Sequence, residues 1–283
     1  MKARKLKKVK TRNKFEVEWA KLNAFDFKQA KEYAQKTCII PCACYEKHGN
    51  HLPLGTDMII AQHLAILAAK GEYAIVHPNY YYTQVSEVRH HLGTIALPAK
   101  YQMEVLQEIC DEVYRNGFDK IILLNSHGGN GHLLNYFCQT QLDKQRDYIV
   151  YAYHIWPLSK EQRDFLDDKH GMILDLGHAG VKETSVIMAI EPSLVKMENV
   201  ITEEGEPLRR NIETSKTGLF TAINWYANFP NHIAGDPKAA FQEYGQDIIN
   251  MQTTRIAKAI KAAKEDKVML NLQKEFFTRT KRS

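Results

Sequence analysis

Short apolar runs separated by longer amphipathic segments set the pattern of hydrophobic and polar positions along this chain. The apolar runs have the length of β-strands and comprise CIIPCAC at 38–44, YAIVHP at 73–78, IILL at 121–124 and DYIVYAYHIW at 147–156. The amphipathic segments predict helices at about 15–36, 57–70, 100–116 and 133–145, from 183 onward, and at 238–264. This alternation is typical of an α/β fold whose mostly parallel sheet is covered on both faces, with a ligand crevice beyond the carboxyl ends of the strands.

The composition is that of a soluble globular protein, with 283 residues, 44% hydrophobic and 25% charged. A chain of this size buries a large core, so a metal ion would serve chemistry rather than folding. We predict a single domain over 1–283, with its core at about 37–262 between a basic N-terminal lead and a basic C-terminal tail. The five cysteines fit neither a disulfide framework nor a zinc finger, and we recognise no signal peptide or membrane span. We therefore expect a cytoplasmic protein without a membrane partner.

The excess of positive charge lies mainly at the two ends of the chain. The formal net charge is +5, and the segments MKARKLKKVKTR and TRTKRS supply much of it. Short basic ends can contact nucleic acid or a membrane surface, but more often they are solvated tails. Because no nucleic-acid-binding motif accompanies the charge, we predict no nucleic-acid partner.

The first cluster of polar residues is EKHGNHLPLGTD at 46–57, directly after an apolar strand. Glu46 and His48 are two positions apart, so in extended backbone they project to the same side. The loop can fold Asp57, at the start of the next helix, back beside them. These oxygen and nitrogen donors suit Zn²⁺, Mn²⁺ or Fe²⁺, with Asp57 as the candidate bridge between two ions. The alternative is a chance Glu-x-His pair beside a helix-capping aspartate.

The second cluster is NSHGGNGH at 125–132, a glycine-rich turn between a strand and a helix. It places His127 at the carboxyl edge of the sheet as a candidate metal ligand. The alternative is an anion-binding loop, which the absence of GxxxxGK[ST] and GxGxxG sequences disfavours. His132 falls within the helix, and we interpret it as structural.

The third cluster is DLGHAGVKETS at 175–185. Nearby glycines leave the imidazole of His178 free to approach a substrate, and a histidine can transfer protons near neutral pH. Glu183 is either a functional acid or a first-turn acid that the helix dipole favours. The local sequence leaves this choice open.

Together these clusters resemble the creatininase (creatinine amidohydrolase) family. The matching stretches follow the family's order and are EKHGNHLPLGTD, HHLGTIALP at 90–98, NSHGGNGH, GHAGVKETS and AGDPKAAFQEYG at 234–245. The resemblance implies a three-layer α/β/α sandwich, a homohexamer, a histidine at His178 that assists proton transfer, and a site for two ions held by Glu46, His48, Asp57 and His127. Family members hydrolyse non-peptide C–N bonds, as in creatinine or a formamide, or remove a terminal residue from a cofactor-precursor peptide.

Two positions depart from the creatininase pattern. That enzyme has an acidic ligand where this chain has Gly129, and a tryptophan beside the substrate where this chain has Leu174. The first change leaves one ion short of a donor, for which Glu183 is our candidate. The second removes an indole that could stack on creatinine, so the resemblance supports the family more than that substrate.

The resulting hypothesis is a hydrolase in which two divalent ions (Zn²⁺, Mn²⁺ or Fe²⁺) activate a bridging hydroxide for attack on a small-molecule amide. The predicted catalytic residues are His178 and Glu183, and Glu183 is also a predicted metal ligand. Predicted substrate contacts are Asp175, His178, Gly128, Gly129 and Trp156. The alternatives are a catalytically silent binding protein of the same fold, an enzyme that cleaves a cofactor-precursor peptide or a formamide, and a phosphate-ligand enzyme that uses the glycine turn.

Overall fold

A four-stranded parallel sheet forms the centre of the molecule. The computed structural model describes residues 13–171 and 177–281. The strands are β1 (Thr37–Cys42), β2 (Ile75–Val76), β3 (Lys120–Asn125) and β4 (Ile149–His154), in the order β2-β1-β3-β4. Aliphatic side chains dominate the two central strands, as expected for strands that are covered on both faces.

Ten α-helices surround the sheet in the part of the chain that the structure describes. They are α1 (Ala24–Tyr33), α2 (Thr56–Gly71), α3 (Ala99–Arg115), α4 (Asn130–Thr140), α5 (Lys160–His170), α6 (Val181–Ile190), α7 (Ile212–Lys216), α8 (Asn224–Asn228), α9 (Gln242–Glu265) and α10 (Met269–Thr280). Helices α2 and α9 pack on one face, and α6 packs against α9. On the opposite face, Cys42 of β1 approaches thiols of α3 and α4. The arrangement confirms the predicted three-layer α/β fold with a parallel sheet.

The strand register decides where the polar loops meet. Cys42 at the end of β1 pairs with Asn125 at the end of β3, which pairs in turn with His154 at the end of β4. Three neighbouring strands therefore end at the same level, and the loops that follow them leave the sheet side by side. This edge is the crevice that a parallel sheet offers to a ligand.

Several predicted boundaries are wrong. The helix predicted at 15–36 is a 3₁₀ turn at Trp19–Lys21 followed by α1, and the positive φ angles of Gln35 and Lys36 (49° and 57°) end it before β1. The strand predicted at 73–78 pairs with β1 over two residues only. The last long helix begins at Gln242, after a separate 3₁₀ turn at Pro237–Ala239.

The sequence patterns did not predict α5, α7, α8 or α10. Helix α10 lies in the segment that we assigned to a basic tail, and it buries Gln273 and Phe277. Among the described residues, no helix combines the length and apolar character that crossing a membrane requires.

Candidate metal centre

The loops beyond β1 and β3 bring acidic and imidazole side chains into one buried cluster. Glu46 and His48 follow β1, Asp57 lies in the first turn of α2, and His127 follows β3. All four residues are buried, with at most 5% of their surface exposed. Buried ionisable groups are rare unless they are paired or bind a cation, so this cluster needs an explanation beyond packing.

Asp57 lies between the two imidazoles. Its Oδ2 is 3.0 Å from Nδ1 of His127, and its Oδ1 is 3.5 Å from Nε2 of His48. The Oε1 atom of Glu46 is 2.9 Å from the same Nδ1 of His127. The hydroxyl of Ser126 donates a hydrogen bond of 2.7 Å to the backbone carbonyl of Asp57, which ties α2 to the loop after β3.

Glu183 and His178 complete the other side of the cluster. The Oε2 atom of Glu183 lies 3.9 Å from Nε2 of His48 and 4.0 Å from Nδ1 of His178. The same oxygen accepts a hydrogen bond of 2.7 Å from the backbone N–H of Ala179, which has a left-handed φ of 54°. Glu183 is therefore held toward His48 by the turn that carries His178.

Three groups of donor atoms satisfy the distance requirement for a shared cation. In each group the ligand atoms lie within 4.8 Å of one another, and the groups are Cys44–Glu46–Asp57–His127, Glu46–His48–His178 and His48–Asp57–Glu183. Glu46 Oε1, His48 Nε2 and His127 Nε2 are buried without a hydrogen-bond partner. Buried polar atoms without partners are costly, and a cation would satisfy those on the ligand side. The donor set fits borderline divalent ions such as Zn²⁺ and Mn²⁺.

The electrostatic field inside the cluster favours positive charge. Burial opposes ionisation of Glu46, but His127 foremost among the neighbouring imidazoles holds the pKa of its carboxyl well below the usual value. Burial also lowers the pKa of His48, yet the surrounding carboxylates, Asp57 foremost, outweigh this effect and raise that pKa to about 9. A position that stabilises a proton so strongly also attracts a metal cation, which competes with the proton for the same nitrogen.

A cavity of about 730 Å³ opens onto this cluster, a volume suited to a small molecule. The predicted substrate contacts Gly128, Gly129 and Trp156 line it together with His178. The indole N–H of Trp156 donates a hydrogen bond to the backbone carbonyl of Ser126, which fixes the ring beside the loop of His127. Contact of these residues with a substrate stays a prediction.

Gly129 allows a close approach at the cavity wall. A Cβ atom at this position would stand 2.5 Å from Nε2 of His127 and 3.3 Å from Oε1 of Glu87. The imidazole and the carboxylate of Glu87 therefore occupy space that a side chain at position 129 would need. A Cβ at Gly128, one residue earlier, would meet no atom within 4 Å.

A family model for creatinine amidohydrolase (creatininase) matches residues 20–260. This chain belongs to the creatininase family. Members of the family are hydrolases. Creatinine amidohydrolase of Pseudomonas putida is 26% identical over 191 residues, which cover 60% of this chain and 73% of that protein. The mycofactocin precursor peptide peptidase of Mycobacterium ulcerans is 26% identical over 222 residues, which cover 74% of this chain and 78% of that protein.

Solved creatininase structures share the fold. One crystal structure of creatinine amidohydrolase aligns with a TM-score of 0.73 at 20% identity, over 89% of this chain and 99% of that one. Other solved creatininase structures include a manganese form, a Zn–Zn form of a variant, and a variant complexed with creatine. At this level of identity the likeness confirms the predicted creatininase-like fold.

The structure brings together nearly all side chains that the sequence predicted for the creatininase site. Asp175 and Leu174 lie outside the described residues. His232, which belongs to none of the predicted clusters, is also part of the site: its Nε2 is 2.6 Å from Oε2 of Glu46. Its only local signal was its place two residues before the family stretch at 234–245. Cys44 was also missed, and its Sγ lies 3.8 Å from Oδ2 of Asp57.

Proposed function

We propose that the protein is a metal-dependent hydrolase that cleaves a non-peptide C–N bond, such as that of a cyclic amide or a formamide. The observation that carries the proposal is the convergence of Glu46, Asp57 and Glu183 with buried imidazoles, in a cluster where Oε1 of Glu46 and Nε2 of His48 lack hydrogen-bond partners. Family membership supports hydrolysis, and the creatininase relatives with zinc or manganese support the choice of metal.

Two divalent ions would be held by five side chains. Asp57 is the candidate bridge, because its two oxygens face different imidazoles. Glu46 and His127 would be the further ligands of one ion, and His48 and Glu183 would be those of the other. When bound, such ions lower the pKa of a water and polarise a carbonyl oxygen of the substrate.

His178 is suited to donate a proton to the nitrogen atom that leaves when the C–N bond of the substrate is cleaved. Its Nε2 donates a hydrogen bond of 2.9 Å to the backbone carbonyl of Lys47, which assigns the proton of the neutral ring to Nε2. Nδ1 is then left as the atom that takes up or returns a proton, 4.0 Å from Oε2 of Glu183. Glu183 would orient this ring and stabilise its protonated form. Proton transfer by a side chain held in this way typically accelerates a reaction by about 10²–10⁴-fold.

The identity of the scissile bond is the second part of the proposal. The wall residues Trp156 and Trp225 give the cavity flat apolar surfaces, which suit a planar amide or ureide. The peptidase-named relatives support the terminal bond of a short peptide as the second candidate, since they align over 74% of this chain or more.

Metal content and turnover test the proposal directly. Protein supplemented with Zn²⁺ or Mn²⁺ and freed of excess ions should retain about two ions per chain. The loaded protein should hydrolyse at least one member of a panel of cyclic ureides, formamides and short peptides. His127→Ala should lose about one ion and most activity, whereas the matched change His132→Ala, at an exposed position of the following helix, should keep both. Failure to retain metal would instead favour a catalytically silent binding protein.

We also propose a homo-oligomer, with the hexamer that the family resemblance implies, and a cytoplasmic location. Leu208, Leu219, Phe220 and Ile223 are each more than half exposed on one segment, which supports an interface between subunits. Mass photometry of the purified protein should give about six times the mass of one chain, and a monomer would contradict the assembly.

A further inference from the structure

Lys182 is a buried lysine in the wall of the cavity. It is the second residue of α6, and only 6% of its surface is exposed. Its Nζ lies 4.4 Å from the centroid of the Trp156 ring, and both residues line the cavity that opens onto the candidate metal centre. Lysine side chains normally extend their ammonium groups into bulk water, so this placement is unusual.

No acidic side chain among the described residues forms an ion pair or hydrogen bond with Lys182. A buried ammonium without a counter-ion is costly. The cation–π contact with Trp156 compensates for part of that cost. The indole is itself fixed by its hydrogen bond to Ser126, so the ammonium is held at a defined place relative to the loop of His127.

The start of α6 adds to the positive potential at this wall. Its N-cap residue, Gly180, offers no side chain to the free N–H groups of the first turn. Helix N-termini favour negative charge, and Lys182 lies within that turn. The helix end and the ammonium therefore act on the same side of the cavity.

The formal charges of the proposed metal-loaded site leave Lys182 unmatched. Four carboxylates among the described residues line the cavity, from Glu46, Asp57, Glu87 and Glu183. Two divalent ions would balance them. The ammonium then remains as a positive charge that no carboxylate among the described residues neutralises, in a cavity large enough to admit a small molecule.

We propose that Lys182, held over the ring of Trp156, binds an anionic group of the substrate, so that the preferred substrate is an amide that carries a carboxylate or a similar anion. This inference rests on the proposed hydrolase function and specifies its substrate class. Lys182 is thus a specificity-determining residue, because it contacts a group away from the reacting bond. A neutral ring such as creatinine would leave the ammonium without a partner.

Calorimetric binding to the metal-loaded protein tests the proposal without turnover. The probes are N-methylsulfonyl derivatives of glycine, β-alanine and γ-aminobutyrate, each compared with its primary amide, because a sulfonamide resists hydrolysis. Three chain lengths are used so that one can reach from the metal centre to the ammonium. At the best length, the acid should bind about tenfold or more tightly than the amide, the size of one hydrogen bond between charged partners.

Variants of Lys182 test whether this residue causes the preference for the acid. Lys182→Met keeps most of the length of the side chain but removes its charge and should abolish the preference, and Lys182→Arg should largely retain it. Lys100→Met is the matched control, since Lys100 also lies over an aromatic ring, 4.6 Å from the centroid of Tyr101, but outside the cavity. With formamide substrates, Lys182→Met should raise KM for the acid much more than KM for the amide.

Two outcomes overturn the inference: equal binding of acid and amide by the wild-type protein, or an acid preference that persists in Lys182→Met and therefore arises at the metal ions. The wild-type comparison stands even if a variant fails to fold. A Lys182-dependent acid preference without hydrolysis of any substrate would contradict the proposed function and leave the anion subsite in place.

Discussion

Two clusters of buried titratable side chains lie near β1, and only one of them is arranged to carry charge. The first is the candidate metal centre beyond the carboxyl end of the strand, with Glu46, Asp57 and His127 at its centre. The second, which we call the thiol cluster, lies between the sheet and helices α3 and α4 and comprises Cys38, Cys42, Cys110 and Cys138. Both are built from residue types that bind metals or act as nucleophiles.

The difference lies in what surrounds each group. Burial raises the pKa of the thiols, for Cys138 to about 11, and no cation in the described part of the chain offsets this effect. The thiols therefore stay neutral and pack as small apolar side chains. In the candidate metal centre burial also opposes ionisation, but at Glu46 the charges of His127 and the other imidazoles outweigh the effect of burial. Reactive residue types thus become a site only where unlike charges meet and ligand atoms remain unpaired.

The largest effect should come from Asp57→Ala. As the candidate bridge, Asp57 contributes to both ions, so the variant should lose both and its activity should fall about 10³-fold or more, the loss expected for a group central to transition-state stabilisation. Metal analysis and initial rates on the same preparation measure the two effects together. Retention of one ion would show that Asp57 does not bridge.

Asp26→Ala is the matched control for Asp57→Ala, because Asp26 lies in the first turn of α1 as Asp57 does in α2. If Asp57 served only to favour a helix N-terminus, both variants would lose about 0.3–1 kcal/mol of stability and keep their activity. We expect that result for Asp26→Ala alone.

A smaller effect should follow from Gly129→Ala. The new Cβ would stand 2.5 Å from Nε2 of His127, so the imidazole must shift, which disturbs its contact with Asp57. We expect metal affinity to fall about 10–100-fold, as when a residue that orients a ligand is removed. Competition with a metal-binding dye measures the metal affinity. Gly129→Glu, which places an acid where the creatininase pattern has one, would meet the same obstruction and should not increase activity.

The neighbouring change Gly128→Ala tests this steric argument, because a Cβ there meets no atom within 4 Å. Metal affinity should be unchanged in that variant. Equal losses in both variants would mean that the flexibility of the turn matters, rather than the position of the His127 ring.

The fold was predictable where local pattern and tertiary environment agree. The runs at β1 and β3 are apolar because both faces of the central sheet are covered there, so sequence pattern alone identifies them. Helix α10 was missed because its burial depends on a few positions, such as Phe277, within a strongly charged segment. The long first helix was overextended because the left-handed residues Gln35 and Lys36 carry no sequence signal.

The site was predictable where its residues flank strands or glycine turns. Glu46 and His127 follow apolar runs directly, so their meeting at one sheet edge could be expected. His232 and Lys182 could not be placed in this way. The backbone of His232 lies in a left-handed turn far along the chain, at φ 56°, and reaches Glu46 only through the tertiary fold. Lys182 looks like an ordinary surface charge until its burial against Trp156 is known.

The smallest effect should come from the thiol cluster. Cys42→Ala removes a buried sulfur atom between β1 and helices α3 and α4, and the small cavity left should reduce the free energy of unfolding by about 1 kcal/mol. Urea denaturation measures this loss, while metal content and kcat/KM should match those of the wild-type protein. Cys138→Ala, at a half-buried thiol of the same cluster, should cost less. Loss of metal in either variant would contradict the difference drawn between the two clusters, because it would mean that the neutral thiols support the charged centre at the end of the strand.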